Sequence, residues 1–207
     1  SLTAMTDLPL LTIRPSDGRA PLVFCWGVSS FYGWGVNGLN LMLQTANHPV
    51  FSPLTSVEIG PADLVLDPLR EALLVSSVAQ SRELWTALAA TDAPVLAVNG
   101  PVLTAVANDF QGLGRSAHDR RLVGSPTIGV AFLEQATLTA EGRQRADELA
   151  LVVTGSTWNQ RFLEAHGIVA TATVLQGIDT SLFHPAPRGG TVPAGRFIVF
   201  SGGKLEF

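Results

Sequence analysis

Short apolar runs alternate with amphipathic segments along this chain, the order expected of an open parallel sheet with helices packed on both faces. Leu22 to Val28 predicts the first central strand, and Val36 to Ala46 the helix after it, with Leu39, Met42 and Leu43 on one side. Val50 to Leu54 predicts a short strand. Asp67-Pro68 predicts a helix start, with Asp as N-cap and Pro at the first helical position. Leu74, Val78, Trp85 and Leu88 then recur at helical spacing, to about Ala90. Pro94 to Val98 and Val102 to Ala107 read as strands split by the turn Asn99-Gly100-Pro101. Thr127 to Leu133 predicts a strand, Thr139 to Asp147 a helix, and Leu149 to Thr154 the strand after it. Ser156 suits the cap of the next helix, whose stripe is Trp158, Phe162 and Leu163. Gly167 suits its terminator, since glycine adopts a left-handed conformation without penalty. Thr171 to Leu175 is β-branched and strand-like. Residues 184–195 read as a Pro/Gly-rich linker, and Phe197 to Phe200 as one isolated strand.

Composition narrows the function classes. An apolar content of 46% is enough to build a sizeable core, yet no run approaches the roughly 20 residues that a membrane helix needs. The longest run, Pro21 to Val28, suits a buried strand, and the N-terminus shows no basic-then-apolar signal pattern. A net charge of −4 and the absence of a basic stripe argue against nucleic acid and anionic membrane as partners. Arg115 to Arg121 is the nearest basic cluster; it contains Asp119 and reads as a solvated loop. The single cysteine, Cys25, excludes an intrachain disulfide and sits in an apolar run, as a buried inert thiol would. His48, His118, His166 and His184 show no metal-ligand spacing. The balance is that of a cytoplasmic enzyme without a metal.

Gly33-Trp34-Gly35-Val36-Asn37-Gly38 matches G-x-G-x-x-G between a strand and a helix. Glycines let backbone approach a phosphate, and a helix N-terminus presents free N–H groups and a positive dipole end. Taken alone this is a dinucleotide fingerprint, and Glu58 lies where a ribose-binding acid is expected. Two details oppose that reading. Ser29 to Tyr32 separate the strand end from the first glycine, and Glu58 sits among turn formers. A Gly-rich turn without ligand is the plain alternative. Asn108-Asp109 and Glu134 follow predicted strands, and side chains at the carboxyl ends of parallel strands line the ligand crevice. Asn108-Asp109 suits either acceptor hydroxyls or a loop Asx turn. Glu134 is either a hydrogen-bonding or basic group for an acceptor hydroxyl, or a surface glutamate.

The last third carries a more specific pattern: Leu151 to Gly155, Ser156-Thr157-Trp158-Asn159, Gly167-Ile168, Gln176-Gly177-Ile178-Asp179, Phe183-His184-Pro185, then Arg196 to Ser201 and Gly202-Gly203-Lys204. In order and spacing it resembles the end of the first domain and the hinge of GT-B glycosyltransferases, in particular the large retaining family of sucrose, mannosyl and related transferases. The resemblance is closest over Val153 to Glu206. It implies a Rossmann-like acceptor-side domain over residues 1–183, a linker over 184–195, and over 196–207 the first strand of a C-terminal donor-binding domain. It implies a hexosyltransferase that moves a sugar from a nucleotide-sugar donor to an acceptor hydroxyl, with retention and without a cofactor or metal.

On that resemblance Gly33 and Gly35 lie beside the donor diphosphate, and Lys204 supplies a cation to the leaving nucleoside diphosphate. Glu134 stands near the reacting sugar where many relatives carry a histidine, and Asn108 and Asp109, by their place after a strand, are the candidates for the acceptor. The family's second domain holds most donor contacts, so the chain alone is expected not to transfer sugar. Two other classes remain open: an NAD(P)-dependent oxidoreductase using the Gly33–Gly38 fingerprint, and a non-catalytic nucleotide- or sugar-binding module.

Overall fold

A computed structural model describes residues 7–112, 117–178, 180 and 184–185. The chain divides into two units, Ser1–Leu175 and Gln176–Phe207, and the architecture described is that of the first. Nine strands are described in it: β1 (Leu10–Leu11), β2 (Ala20–Cys25), β3 (Phe51–Thr55), β4 (Val95–Val98), β5 (Val102–Val106), β6 (Arg121–Val123), β7 (Thr127–Ala131), β8 (Leu151–Thr154) and β9 (Thr171–Thr173). Four helices join them: α1 (Gly33–Thr45), α2 (Pro68–Ala89), α3 (Ala140–Ala146) and α4 (Thr157–Ala165).

The main sheet has six parallel strands in the order β3-β2-β5-β7-β8-β9, and a smaller parallel sheet runs β1-β4-β6. This is the expected α/β, Rossmann-like architecture. Successive strand residues point to opposite faces, so Val23 and Phe24 select opposite layers. On one face α1 packs Leu39 and Met42 with Phe24 and Trp26. On the other, Leu84 and Leu88 of α2 meet Val23, Cys25, Val98 and Val102. Ala146 of α3 and Leu163 of α4 close a third cluster with Val106, Ala131 and Val152.

The second sheet is what the sequence did not announce. Asn99-Gly100-Pro101 looks like a hairpin turn, but β4 and β5 do not pair; each joins a different sheet. Two further strands, β1 and β6, fall where the sequence suggests only loop, because each is too short to show a period. The chain crosses between sheets twice at a Gly-x-Pro or Gly-Pro step, and both crossings are crowded. A Cβ on Gly100 would lie 2.3 Å from the Pro21 carbonyl oxygen, and one on Gly124 2.5 Å from the Val102 nitrogen. The crossings are tied to each other, Ser125 N donating to Gly100 O at 3.0 Å and Val102 N to Pro126 O at 2.9 Å. Asn99 stitches the small sheet's first connection: its Oδ1 accepts from Ile13 N at 2.7 Å and its Nδ2 donates to Ile13 O at 2.8 Å.

Helix ends follow the expected chemistry. Asp67 accepts from Leu69 N and Arg70 N with Pro68 at the first turn of α2; Thr139 caps α3 and Ser156 caps α4. Gly167 adopts φ +78 beyond α4. Trp158 departs from expectation: it is 53% exposed, and the buried side of α4 is Asn159 and Leu163. β2 also ends earlier than its hydropathy suggests, so Trp26 and Val28 are buried in the loop that follows it.

At the opposite end of the sheet, Arg19 donates to Ala46 O and His48 O beyond the last turn of α1, at 2.9 and 2.7 Å. Asp17 holds the guanidinium at 2.6 Å, and Ser52 donates to the same carboxylate. The Arg19 hydrogen bond is the largest of the causes that hold the Asp17 carboxyl below its usual range.

Two outcomes follow from this packing. Gly100→Ala is expected to lower stability by about 2 kcal/mol or more, because a rigid backbone oxygen must move; the midpoint of urea unfolding measures it. Asp17 has a depressed pKa in the folded state, so its contribution is present above the unfolded value of about 3.9 and lost as pH falls through the folded one. Asp17→Asn is therefore expected to lower the thermal midpoint at pH 7, with the gap from wild type closing on acidification to about pH 2.5; an equal gap at both pH values refutes this.

Candidate functional site

The strand order reverses between β2 and β5: the chain leaves β2 toward β3 and returns on the other side to β5. In open parallel sheets the crevice outside the carboxyl ends of such a pair is where ligands bind. Three segments meet there: residues 26–32 and the start of α1 after β2, residues 107–112 after β5, and residues 132–134 after β7.

The three glycines of the G-x-G-x-x-G motif lie inside α1, not in a turn before it, because the helix begins at Gly33 itself. They do different jobs. A Cβ on Gly33 would meet nothing within 4 Å, so this position is open. Gly35 is buried, and a Cβ there would lie 2.7 Å from Ser29 Cβ and 2.9 Å from Tyr32 Cε2; its bareness serves packing within the protein. Gly38 lets α1 settle on Trp26, whose Nε1 would lie 2.6 Å from a Cβ at this position.

The N-terminus of α1 differs from the other three. Tyr32 is its N-cap residue with no side-chain cap bond, whereas Asp67, Thr139 and Ser156 each cap their own helix. The N–H groups of the first turn have no intrahelical acceptor, and the helix dipole adds partial positive charge at the same place. Beneath it runs a file of aromatic rings: Phe24–Trp26 at 5.3 Å, Trp26–Trp34 at 5.8 Å and Trp34–Phe132 at 4.9 Å between centroids. Trp26 Nε1 also donates to Trp34 O at 3.1 Å. The last ring pair brings the start of α1 against the segment after β7.

The loop before α1 reverses the usual polarity. Ser29 is 1% exposed and its Oγ accepts from Phe31 N, while Phe31 is 66% exposed and Tyr32 48%. Ser30 fastens this loop to the one after β3: its N donates to Asp63 O at 2.8 Å, and its Oγ accepts from Val65 N at 3.0 Å. Burial, and then the Asp63 charge, push the Tyr32 phenol above its ordinary pKa, so it stays neutral. Hydropathy alone places Phe31 in a core; only the polar fastening on either side turns it outward.

Glu134 is exposed, and the peptide unit that carries it is held from both sides. Asn108 Oδ1 accepts from Glu134 N at 3.0 Å. Asn159 Nδ2 donates to Leu133 O, the other end of the same peptide, at 3.0 Å. Asn159 is buried and also accepts from Ser156 Oγ at 2.7 Å. Three successive strands, β5, β7 and β8, thus converge on one backbone amide. Asn108 acts on Glu134 through this bond, a role its position in the sequence did not disclose. Asp109 takes the Asx-turn alternative, its Oδ1 accepting from Gln111 N at 3.1 Å, while Arg145 donates to its carbonyl at 2.8 Å. The structure therefore brings Gly33, Asn108 and Glu134 to one edge. Lys204, the linker's remainder and the strand expected at Phe197 to Phe200 lie outside the described residues.

Cys25 ends β2 on the opposite face from Phe24, and burial pushes its thiol up to about 11. It is protonated at neutral pH, in line with an inert role. Among the described residues no cluster of His, Cys, Asp or Glu suits a metal ion, and no helix is long and apolar enough to cross a membrane. Glu58 stands exposed three residues past the end of β3, beyond a bend, so the expected short strand precedes it and Glu58 itself lies in the loop that follows. The chain matches no known protein family, no curated protein and no solved structure.

The doubly held peptide makes a direct expectation. Asn159→Ala is expected to cost about 2 kcal/mol, since it strips a buried carbonyl of its donor. Asn108→Ala, at a half-buried site, is expected to cost less, but to raise hydrogen exchange at the Glu134 amide at least tenfold while β7 amides keep their protection. Unchanged exchange at Glu134 refutes the assignment.

Proposed function

We propose that this chain is the acceptor-side domain of a nucleotide-sugar-dependent glycosyltransferase. The observation that carries the reading is the start of α1: an uncapped helix N-terminus, with an open Gly33, at the point where the parallel strand order reverses. Backbone N–H groups and the dipole there suit a diphosphate without a metal. The resemblance of the last third of the chain to the GT-B hinge supports the same assignment, and gives the diphosphate its place in a nucleotide sugar.

In this reading the acceptor lies between Gly33 and Glu134. The Glu134 carboxylate accepts a hydrogen bond from the acceptor hydroxyl, drawing the proton away as the oxygen attacks the sugar carbon. Asn108 and Asn159 position it by fixing its backbone. The negative charge that grows on the departing diphosphate meets the first-turn N–H groups of α1 and, in the full enzyme, the Lys204 cation.

A second reading has one observation in its favour. Glu58 follows β3, the neighbour of the switch-point strand, as the ribose-binding acid does in dinucleotide-binding domains.

Amide NMR separates the two. Titration with UDP, ADP and GDP is expected to shift the Gly33, Trp34 and Gly35 amides, with at least one of the three saturating. Gly33→Glu, which adds a carboxylate in open space, is expected to weaken that binding about tenfold while preserving the fold. Saturation by NAD with shifts at Glu58, and none by the nucleoside diphosphates, would establish the oxidoreductase reading instead.

A further inference from the structure

A separate feature lies on the other face of the main sheet. Where a crossover helix would normally lie between two parallel neighbours, the chain from β5 to β7 passes through the small sheet as β6. The α2 cluster covers Val102 and Cys25, and the α3–α4 cluster covers Val106 and Ala131. Between them remains a cavity of about 590 Å³, within the size range of small-ligand sites.

Its floor is uncharged: Cys25, Thr104, Val106 and Leu122 contribute from three strands. Its walls are charged. Arg121 of β6 pairs with Glu148, beyond α3, and the two partners are 62% and 42% exposed. Arg145 lies on the same wall and holds Asp109. Among the described lining residues, Arg121 meets Glu148 through Nη2 and Arg145 meets Asp109 through Nη1, so each of these guanidinium groups is paired but commits one nitrogen to its carboxylate, above an uncharged floor.

We propose that this cavity binds a small organic anion with an apolar body, a carboxylate or phosphate monoester whose charge meets Arg121 and Arg145 and whose body lies on Thr104 and Val106. The site lies across the sheet from the α1 side of the carboxyl-edge crevice, because Thr104 and Val106 point away from the face that carries Phe24 and Ala105, and it shares with that crevice the segment after β5, through Phe110, Gln111 and Gly112. The assignment is independent of sugar transfer and stands or falls on binding alone.

The Arg121–Glu148 pair supplies a test in which a merely structural role gives the wrong sign. The probe is 8-anilinonaphthalene-1-sulfonate, an anion on an apolar body, titrated into the purified chain by calorimetry and fluorescence. One saturable site per chain is expected. Glu148→Gln frees the Arg121 charge and is expected to tighten binding about threefold, while Arg121→Gln loosens it about threefold. Thr104→Leu, which fills the floor, is expected to reduce affinity more than tenfold. Thermal unfolding of each variant verifies the fold, and amide NMR of the same titration is expected to shift Thr104 and Val106 while sparing Gly33. Equal affinity in all four proteins, or loosening by both charge variants, overturns the proposal. Saturable binding that shifts Phe31 and Gly33 instead also overturns it, by placing the probe on the exposed loop before α1.

Discussion

Two places where the backbone leaves no room for a side chain govern this architecture. At Gly100 the chain passes against the Pro21 carbonyl, and at Gly124 it passes against Val102 and the Gly100 carbonyl. Each crossing carries the chain out of the small sheet and into the large one. β4 and β6 are therefore neighbours on one side of the crossings, and β5 and β7 are neighbours on the other. If either crossing opened, the central pair of the main sheet would lose its register, and with it the reversal of strand order that creates the crevice. Steric exclusion at two glycines, more than any ion pair, defines where a ligand can approach.

Much of the main sheet was legible because its strands are buried on both faces and so read as continuous apolar runs. The helices were legible through their chemistry: Asp67-Pro68, Thr139 and Ser156 each cap the helix expected of them, and Gly167 takes the left-handed conformation beyond α4. The small sheet was not legible. A strand as short as Leu10–Leu11 has no period, and Asn99-Gly100-Pro101 is chemically a turn whether or not the strands beside it pair with each other.

The site was legible by position more than by role. Residues after parallel strands face the crevice, which is enough to select Gly33, Asn108 and Glu134. What each does depends on neighbours that are distant in sequence. Asn108 is occupied by an amide 26 residues away, and so is the carbonyl that Asn159 satisfies. Gly35 looks like a phosphate-approach glycine and is instead packed beneath Tyr32. Trp158, read as part of a buried stripe, stacks on Phe162 at 6.0 Å while half its surface stays open. Periodicity finds a stripe but not which side of it meets the sheet.

The clamp on the Leu133–Glu134 peptide also has a mechanical meaning. One amide joins the segments that follow three adjacent strands, so those segments cannot shift independently. The side of the crevice beyond β5 is cross-tied at that peptide, whereas among the described residues the loop before α1 takes its hydrogen bonds outside α1 from β3 and the segment after it. An object entering the crevice would therefore meet one fixed jaw and one that can yield, and any adjustment to its shape falls on the Phe31–Tyr32 side.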